Sequence, residues 1–381
     1  MNAPLPVTEF DQPAALRMPR NVLLLASRFS LPYSVLRTAA ACGVNVHVLG
    51  GRGASGLRFS RHCATFSAAR SDPASADAHD LEEEINAVIA KREIDLVMAG
   101  DRRTMRQLIL IEPALNCPTF PGPTLQQFDL LSDKWAFTKL CQRLAILVPD
   151  SELLADKTEL KQGLLSGEIG FPVVAKPLDL DGGRGIVELF SYADLGKIES
   201  IGYAPVLAQR YIDGQDVGAS IYCEGGKIKA LIAHKRAGAT YRTFRHRQLE
   251  HDLNEIAAAM QITGVYNFDM RVTTQGDVYW FGCNPRFFFK MFLSMLAGLN
   301  FVGFGLTGTR SNVVNYVPDG SAVRTLKALA ATLAMPWRLS RRDFAYAGET
   351  LTDPLPLIRE SLRVGWEDKA IERADAAGRM R

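Results

Sequence analysis

The sequence lacks the usual signs of several protein classes. It contains no C-x-x-C pair and no H-E-x-x-H helix, and its net charge of +3 is too small to predict nucleic acid as the main partner. Scattered cysteines of this kind predict reduced thiols in a cytoplasmic protein, rather than a disulfide framework or a structural zinc site. The six cysteines are Cys42, Cys63, Cys117, Cys141, Cys223 and Cys283.

Long apolar runs are also scarce. Segment 287–306 has the length of a membrane span and a single charge, Lys290, but three glycines and Asn300 interrupt it. A buried helix and loop of an α/β core is therefore the preferred interpretation, with no membrane span. Residues 1–19 contain four prolines and no apolar core of the signal-peptide type, so they predict a flexible lead-in.

Alternating strand and helix patterns are present near the N-terminus. Strand patterns at 21–26 and 44–50 flank a helix pattern at 34–43, and a further helix and strand follow at 81–100. This order predicts a small parallel-sheet domain over residues 20–125.

Gly51, Gly53 and Gly56 form a G-x-G-x-x-G motif in this domain. In dinucleotide-binding folds this motif joins the first strand to its helix, whereas here it follows the second strand. A loop is therefore preferred over a nicotinamide or flavin site. Loop 27–33 follows the first strand, where open α/β sheets bind ligands, but a plain connection explains it equally well.

Two lysines stand beside patterns that suit an anionic ligand. The helix predicted over 126–144 has Ser132 as its candidate cap and Lys134 in a first turn where the helix dipole favours an acid. Residues 173–188, VVAKPLDLDGGRGIVE, predict a hairpin in which Lys176 precedes a glycine-rich turn able to close over phosphate oxygens. This is no Walker loop, and alone it fits a hairpin without a ligand equally well.

Segments 204–235 and 264–288 continue this series, and the whole order of motifs over residues 20–310 resembles the ATP-grasp superfamily. The resemblance implies a mixed fold, α/β and α+β, with a parallel-sheet domain before a two-lobed ATP-grasp fold. The implied division is lead-in 1–19, pre-ATP-grasp domain 20–125, ATP-grasp domain 126–320 with its lid at about 145–207, and C-terminal helical extension 321–381.

The same resemblance implies roles for individual residues. Phosphate contacts would come from Lys134 and Lys176, under a mobile flap of Asp181, Gly182, Gly183, Arg184 and Gly185. The adenine edge would be read by Gln209, Arg210, Tyr211 and Ile212, and the ribose by Asp216. Asp269 and Asn284 would hold Mg²⁺, and Arg286 would steady the transferring group. Taken singly, Asp216 could finish a turn, Tyr211 could belong to the core, and Asp269 could be a strand-edge charge.

The basic cluster at 234–247 interleaves cations with aromatic residues. In the setting that the resemblance implies, Lys235 and Arg242 are expected near the phosphates and the acidic substrate. A solvated charged loop is an equally good interpretation, and nucleic-acid binding is less favoured.

One position departs from the family. The family's second metal ligand is normally a glutamate two residues before the asparagine, and here that residue is Gly282. Cys283 is a poor substitute, because its side chain is expected on the opposite face of the strand. Either Asp269, Asn284, phosphate and water hold the cation, or catalysis is weakened.

The implied function is an ADP-forming ligase that uses ATP and Mg²⁺, with Mn²⁺ also open. It would convert a small-molecule carboxylate into an acyl phosphate, which an amine or thiol then captures. The alternative is a catalytically weakened nucleotide-binding or regulatory module, and a homodimer is left open. Residues 321–381 are amphipathic in part, and packing against the core is preferred over docking to a partner.

Overall fold

A computed structural model describes residues 18–180, 182–237, 240–308, 313–324 and 339–363. These residues form three β-sheets in chain order, one parallel and two mainly antiparallel, with helices packed on them. The mixed α/β and α+β fold class predicted from the sequence is thereby confirmed. Asp181 of the predicted flap, most of the lead-in and much of the predicted extension lie outside the described residues.

The first sheet is parallel, with strand order β3-β2-β1-β4. Near-continuous runs of valine and leucine make its inner strands buried on both faces, as in other parallel sheets. Its strands are β1 (Asn21–Ala26), β2 (Asn45–Gly50), β3 (Cys63–Ala68) and β4 (Leu96–Ala99), and its helices are α1 (Ser30–Ala40), α2 (Ala78–Arg92) and α3 (Arg102–Ile111).

The prediction of one continuous helix over 126–144 is wrong, because the structure has two helices there. The chain forms α4 (Leu125–Ser132) and α5 (Lys134–Arg143), which are separated at Asp133. Asp133 has extended backbone angles, and its carboxylate accepts the Ala136 N–H at 2.7 Å, so Asp133 and not Ser132 caps the second helix. The break puts Lys134 at the first position of α5.

The second sheet is antiparallel, in the order β5-β8-β6-β7, with α6 (Lys157–Ser166) on one face. It has a small core of its own, which includes Leu160, Val173 and Val206. Its strands are β5 (Ser151–Leu154), β6 (Val173–Lys176), β7 (Val187–Leu189) and β8 (Val206–Arg210).

The third sheet has the order β13-β12-β9-β10-β11-β15, and β14 also pairs with β10. One face packs on α5 and α7 (Arg247–Met260) in a large apolar core, while part of the other shares a core with the first sheet. The strands are β9 (Gln215–Glu224), β10 (Lys227–Ala237), β11 (Thr240–Thr243), β12 (Gly264–Val272), β13 (Val278–Asn284), β14 (Asn315–Tyr316) and β15 (Ala322–Arg324).

The apolar segment 287–306 forms two short helices, α8 (Met291–Ala297) and α9 (Phe301–Thr307). Phe288 and Phe301 meet edge to face, with ring centroids 5.3 Å apart, in the core shared with the first sheet. The expected buried helix and loop is thus what the chain forms. Within the described ranges, every helix is too short or too polar to span a bilayer.

The described part of the C-terminal segment packs against α1, the loop before β3 and α8. Helix Arg341–Thr352 and a helix over 354–363 meet at Asp353, which is buried. The Asp353 carboxylate accepts hydrogen bonds from Tyr33 Oη at 2.9 Å, Ser60 Oγ at 2.6 Å and the Arg61 N–H at 2.9 Å. This carboxylate therefore links the C-terminal segment to α1 and to the loop before β3.

Candidate functional site

A cavity of about 480 Å³ lies between the second and third sheets. Its walls come from β6 and β8 on one side, from β12 and β13 on the other, and from the loop after β6. The predicted site residues that line it are Lys134, Lys176, Gly182, Gly183, Arg184, Arg210, Tyr211, Ile212, Asp216, Asp269 and Asn284. Side chains that are far apart in sequence thus share one enclosure.

Lys176 ends β6 and is only 8% exposed. Its Nζ donates to Gln209 Oε1 at 2.8 Å and lies 4.4 Å from the centroid of the Phe281 ring. Burial, followed by the neighbouring charges of Lys134 and Arg271, lowers the pKa of Lys176 to about 8. The cavity therefore contains a partly desolvated ammonium without a carboxylate bonded to it, a group that favours an incoming anion.

Lys134 holds the loop that follows β6. Its Nζ donates to the carbonyl oxygens of Leu180 at 2.6 Å and Leu178 at 3.3 Å. The loop continues through glycines at 182, 183 and 185, all with φ between 67° and 76°, a region that favours glycine. The loop thus closes one side of the cavity with backbone that few other residues could adopt.

An ion pair that the sequence did not predict lies beside the hinge between β8 and β9. Arg271 Nε donates to Asp216 Oδ1 at 2.8 Å, and Arg271 Nη1 donates to the Ile212 carbonyl at 2.7 Å. The Tyr211 N–H donates to Pro172 O at 2.9 Å, so this part of the hinge backbone is tied to the second sheet. Gln209 is buried beneath Lys176 and does not line the cavity.

The opposite wall presents an acid and an amide. Asp269 and Asn284 lie on neighbouring strands, and Asn284 Nδ2 donates to Asp269 Oδ2 at 3.1 Å. Behind them, Arg286 is buried and donates from Nη2 to Asn284 Oδ1 at 3.0 Å. Arg286 therefore orients the amide from behind the cavity wall, and it is not among the described residues that line the cavity.

Asp269 is accessible from the cavity, yet protein surrounds the cavity and displaces bulk water from the carboxylate. This desolvation raises the pKa of Asp269, while the positive charges of Lys290 and Arg286 oppose the rise. A cation bound at the carboxylate would favour its charged form in the same way.

Gly282 lies directly opposite Asp269 in the β12–β13 register and lines the cavity. A Cβ atom built at Gly282 meets nothing within 4 Å, so a side chain there would enter open space. Cys283 packs in the apolar core on the other face of the sheet, as its position in the strand predicted.

The donor set fits a hard divalent cation only in part. Asp269 and Asn284 offer the oxygen ligands that Mg²⁺ prefers. In the portion of the chain that the structure describes, no group of three or more His, Cys, Asp or Glu side chains could hold a metal. A cation at Asp269 would therefore complete its coordination with phosphate or water oxygens.

The structure does not bring Lys235 and Arg242 to this cavity. They pair across β10 and β11, and Lys235 is also opposite Val217, whose side chain belongs to the core on the far face. Their neighbours His234 and Tyr241 have the opposite parity and share the face of Asp269. The expected placement of Lys235 and Arg242 near the phosphates and the acidic substrate is thus not what the fold produces.

Sequence reasoning also missed Arg271 and Phe281, which both line the cavity. Arg271 was within reach, because it stands two residues after Asp269 on the same strand and so faces the same side. Phe281 was not, because an irregularity in the register next to Asp269 shifts the pairing of β13.

Part of the sequence matches a known protein family and several curated proteins. Residues 203–330 match the family described as "ATP-grasp in the biosynthetic pathway with Ter operon". Among curated proteins, the arginine-specific large chain of carbamoyl phosphate synthase from Bacillus subtilis is 28% identical over 187 residues, 44% of this chain and 18% of that protein. The large chain from Clostridium perfringens strain 13 is 24% identical over 54% of this chain and 21% of its own. The chain thus spans about a fifth of the length of these relatives.

Solved structures resemble the fold over about three quarters or more of the chain. N5-carboxyaminoimidazole synthetase from Staphylococcus aureus, complexed with ADP, has a TM-score of 0.64 at 15% identity, with 81% of this chain and 82% of that chain covered. The L-amino acid ligase from Bacillus licheniformis has a TM-score of 0.58 at 13% identity, covering 76% and 74%. At these identities the likeness shows the fold. Segment 203–330 thus resembles an ATP-grasp family in sequence, and together with the shared fold this match supports the ATP-grasp superfamily for the chain.

Proposed function

We propose that this protein is an ATP-dependent ligase that activates a small-molecule carboxylate as an acyl phosphate and joins it to an amine. One observation carries the proposal: a single cavity has the ammonium groups of Lys134 and Lys176 on one wall and Asp269 with Asn284 on the other. Phosphoryl transfer depends on positioning and on charge stabilisation, and this arrangement offers both. Several relatives and structural neighbours are named as synthases, synthetases or ligases, which supports the same class.

The nucleotide would lie between the two sheets. Lys176, partly desolvated and facing an open cavity, would take a phosphate oxygen, and Lys134 would hold the glycine-rich loop over the chain of phosphates. The hinge at 210–212 and Asp216 would receive the adenosine end. A divalent cation at Asp269 and Asn284 would neutralise charge on the phosphates.

In the proposed reaction, a carboxylate oxygen of the substrate attacks the γ-phosphorus, and the bond from that phosphorus to the β,γ-bridging oxygen breaks, so ADP leaves. The amine then attacks the acyl carbon, inorganic phosphate departs with the carboxylate oxygen, and the amine proton passes to solvent. No protein nucleophile is needed. The loop around 182–185 would exclude water, which would otherwise hydrolyse the acyl phosphate.

Gly282 supports a second candidate, a nucleotide-binding module with weakened catalysis. Where a glutamate would help to hold a metal ion, the wall is open. The two candidates differ in turnover: the ligase releases ADP when an acid and an amine are present, whereas the binding module does not.

The test is ADP release by the purified full chain with Mg²⁺ and pools of amino acids and other small acids, alongside calorimetric titration with ATP. We expect tight nucleotide binding and ADP release that requires at least one pool. Binding without ADP release in any pool would select the binding module, and the absence of ATP binding would contradict both.

A further inference from the structure

A row of residues crosses four adjacent strands of the third sheet on the cavity side. In register, Gly282 of β13 is opposite Asp269 of β12, Asp269 is opposite Gly218 of β9, and Gly218 is opposite His234 of β10. A Cβ atom at Gly218 would come within 2.9 Å of His234 Cε1, so the imidazole lies over Gly218, on the side towards Asp269. The absence of a side chain at Gly218 makes this position of the ring possible.

Lys290 reaches the end of this row from the turn before α8. Its Nζ lies 2.6 Å from His234 Nε2 and 4.5 Å from the centroid of the Tyr241 ring. Burial, followed by the charge of Lys290, lowers the pKa of His234 to about 3, so the imidazole is neutral and its Nε2 accepts a hydrogen bond from the ammonium. The neutral ring therefore positions a positive charge over the sheet.

That positive charge is directed at the acid wall of the cavity. Neighbouring strands lie about 4.8 Å apart, so the backbones at Asp269 and His234 are about 10 Å apart across Gly218. The Lys290 ammonium lies beside the imidazole ring that covers this gap. Burial lowers the pKa of Lys290, and the opposite charge of the Asp269 carboxylate acts against that fall. The two charges are thus close enough to attract each other within the enclosure.

On the same wall, the place opposite Asp269 has no oxygen ligand. Gly282 leaves open space there, and this stretch of β12 and β13 offers the carboxylate of Asp269 and the amide of Asn284. A second amide, Asn267, is hydrogen-bonded to Asp269, and its oxygen already accepts a hydrogen bond from Ser220 Oγ at 3.0 Å. This set suits one divalent cation, and a second close to the Lys290 ammonium would meet like-charge repulsion in a site of low dielectric.

We propose that the Lys290 ammonium, held by His234, is a fixed cation of the phosphate site. It would take the place of a second divalent ion, which a glutamate at position 282 would otherwise bind. The inference rests on the proposed function, because it assumes that the cavity takes a nucleoside triphosphate. It has two consequences: the nucleotide complex binds one divalent ion, and its affinity depends on the charge at position 290.

The test counts Mn²⁺ ions per bound nucleotide by electron paramagnetic resonance, with a non-hydrolysable ATP analogue and the full chain. Wild type is expected to bind one ion. Lys290→Met should weaken analogue binding about tenfold or more, while Lys290→Arg, which keeps the charge, should stay near wild type. The double variant Gly282→Glu with Lys290→Met should bind two ions and recover much of the lost affinity.

A matched control is Lys157→Met, which removes a lysine that pairs with Glu199 outside the cavity. It should leave both readings unchanged. Two ions in wild type, or wild-type affinity in a folded Lys290→Met variant, would overturn the role of Lys290 while leaving nucleotide binding intact. Failure of wild type to bind the analogue at all would instead overturn the proposed function, and this inference with it.

Discussion

Replacing Lys176 by methionine tests the phosphate wall of the cavity. The change removes the ammonium and keeps much of the side-chain volume, so the effect on ligand binding comes mainly from charge. Charge-assisted hydrogen bonds contribute about 1.5 to 3 kcal/mol, which corresponds to a loss of about tenfold to 150-fold in ATP affinity.

The effect on folding contains two opposing terms. Lys176→Met leaves Gln209 Oε1 without the donor it has at 2.8 Å, which costs about 1 to 3 kcal/mol for a buried acceptor. It also removes a buried charge whose pKa falls from 10.5 to about 8, a penalty of about 3 kcal/mol at neutral pH. The free energy of unfolding at pH 7 should therefore change little, although the side chain is buried.

The pH dependence has a definite sign. Between about pH 8 and 10.5 the unfolded chain binds the Lys176 proton more firmly than the folded protein, so this group makes wild type more stable as pH rises through that window. Phosphate binds the protonated form, so ATP affinity should fall above about pH 8. Both trends should be absent in Lys176→Met.

Calorimetric titration with a non-hydrolysable ATP analogue from pH 7 to 9.5 measures the affinities, and urea unfolding over the same range measures stability. Lys157→Met serves again as the control and should follow wild type. Equal analogue affinity in wild type and a folded Lys176→Met variant at pH 7 would refute the assignment of Lys176 to the phosphates.

Three further changes test other parts of the account. Asp269→Asn should lower Mg²⁺-dependent turnover by about a hundredfold or more, and nucleotide binding far less, because the cation acts mainly on charge that develops during transfer; normal turnover at limiting Mg²⁺ would move the cation elsewhere. Gly282→Glu should tighten Mg²⁺ binding in the nucleotide complex, since its side chain enters open space opposite Asp269, and an unchanged Mg²⁺ affinity in the folded variant would show that this position does not serve the cation. Asp353→Ala should lower the free energy of unfolding by about 1 to 3 kcal/mol, because it strips partners from Tyr33 Oη, Ser60 Oγ and the Arg61 N–H; denaturant unfolding at wild-type stability would contradict this anchoring role.

Local patterns in the sequence predicted much of the fold. The strand over 21–26 has the predicted bounds, because its apolar run and the residues that flank it act locally. The break between α4 and α5 was missed, because Asp133 gives no stronger capping signal than Ser132 until the backbone angles are known. The predicted domain division at 125 and 320 stays a prediction.

The sequence predicted which motifs contribute to the candidate site better than it predicted which side chains face the cavity. Lys176 and Asp269 line one cavity, as expected from the motifs that carry the resemblance. Lys235 was placed by the resemblance and by its charge. Alternate residues of a strand face opposite sides of the sheet, so an error of one position puts the side chain on the wrong side. The register from Asp269 through Gly218 to His234 reveals which residues of β10 share the face of Asp269.

The central claim is that a carboxylate attacks ATP in this cavity. Wild-type protein would be incubated with ATP, Mg²⁺ and a pool of amino acids and small acids whose carboxyl oxygens are ¹⁸O, and the released inorganic phosphate would be analysed by mass spectrometry. The account predicts one ¹⁸O atom in each phosphate released, because the attacking carboxylate oxygen stays with phosphorus when the amine displaces it. Release of ADP with unlabelled phosphate would contradict it, since water and not a carboxylate would then have attacked.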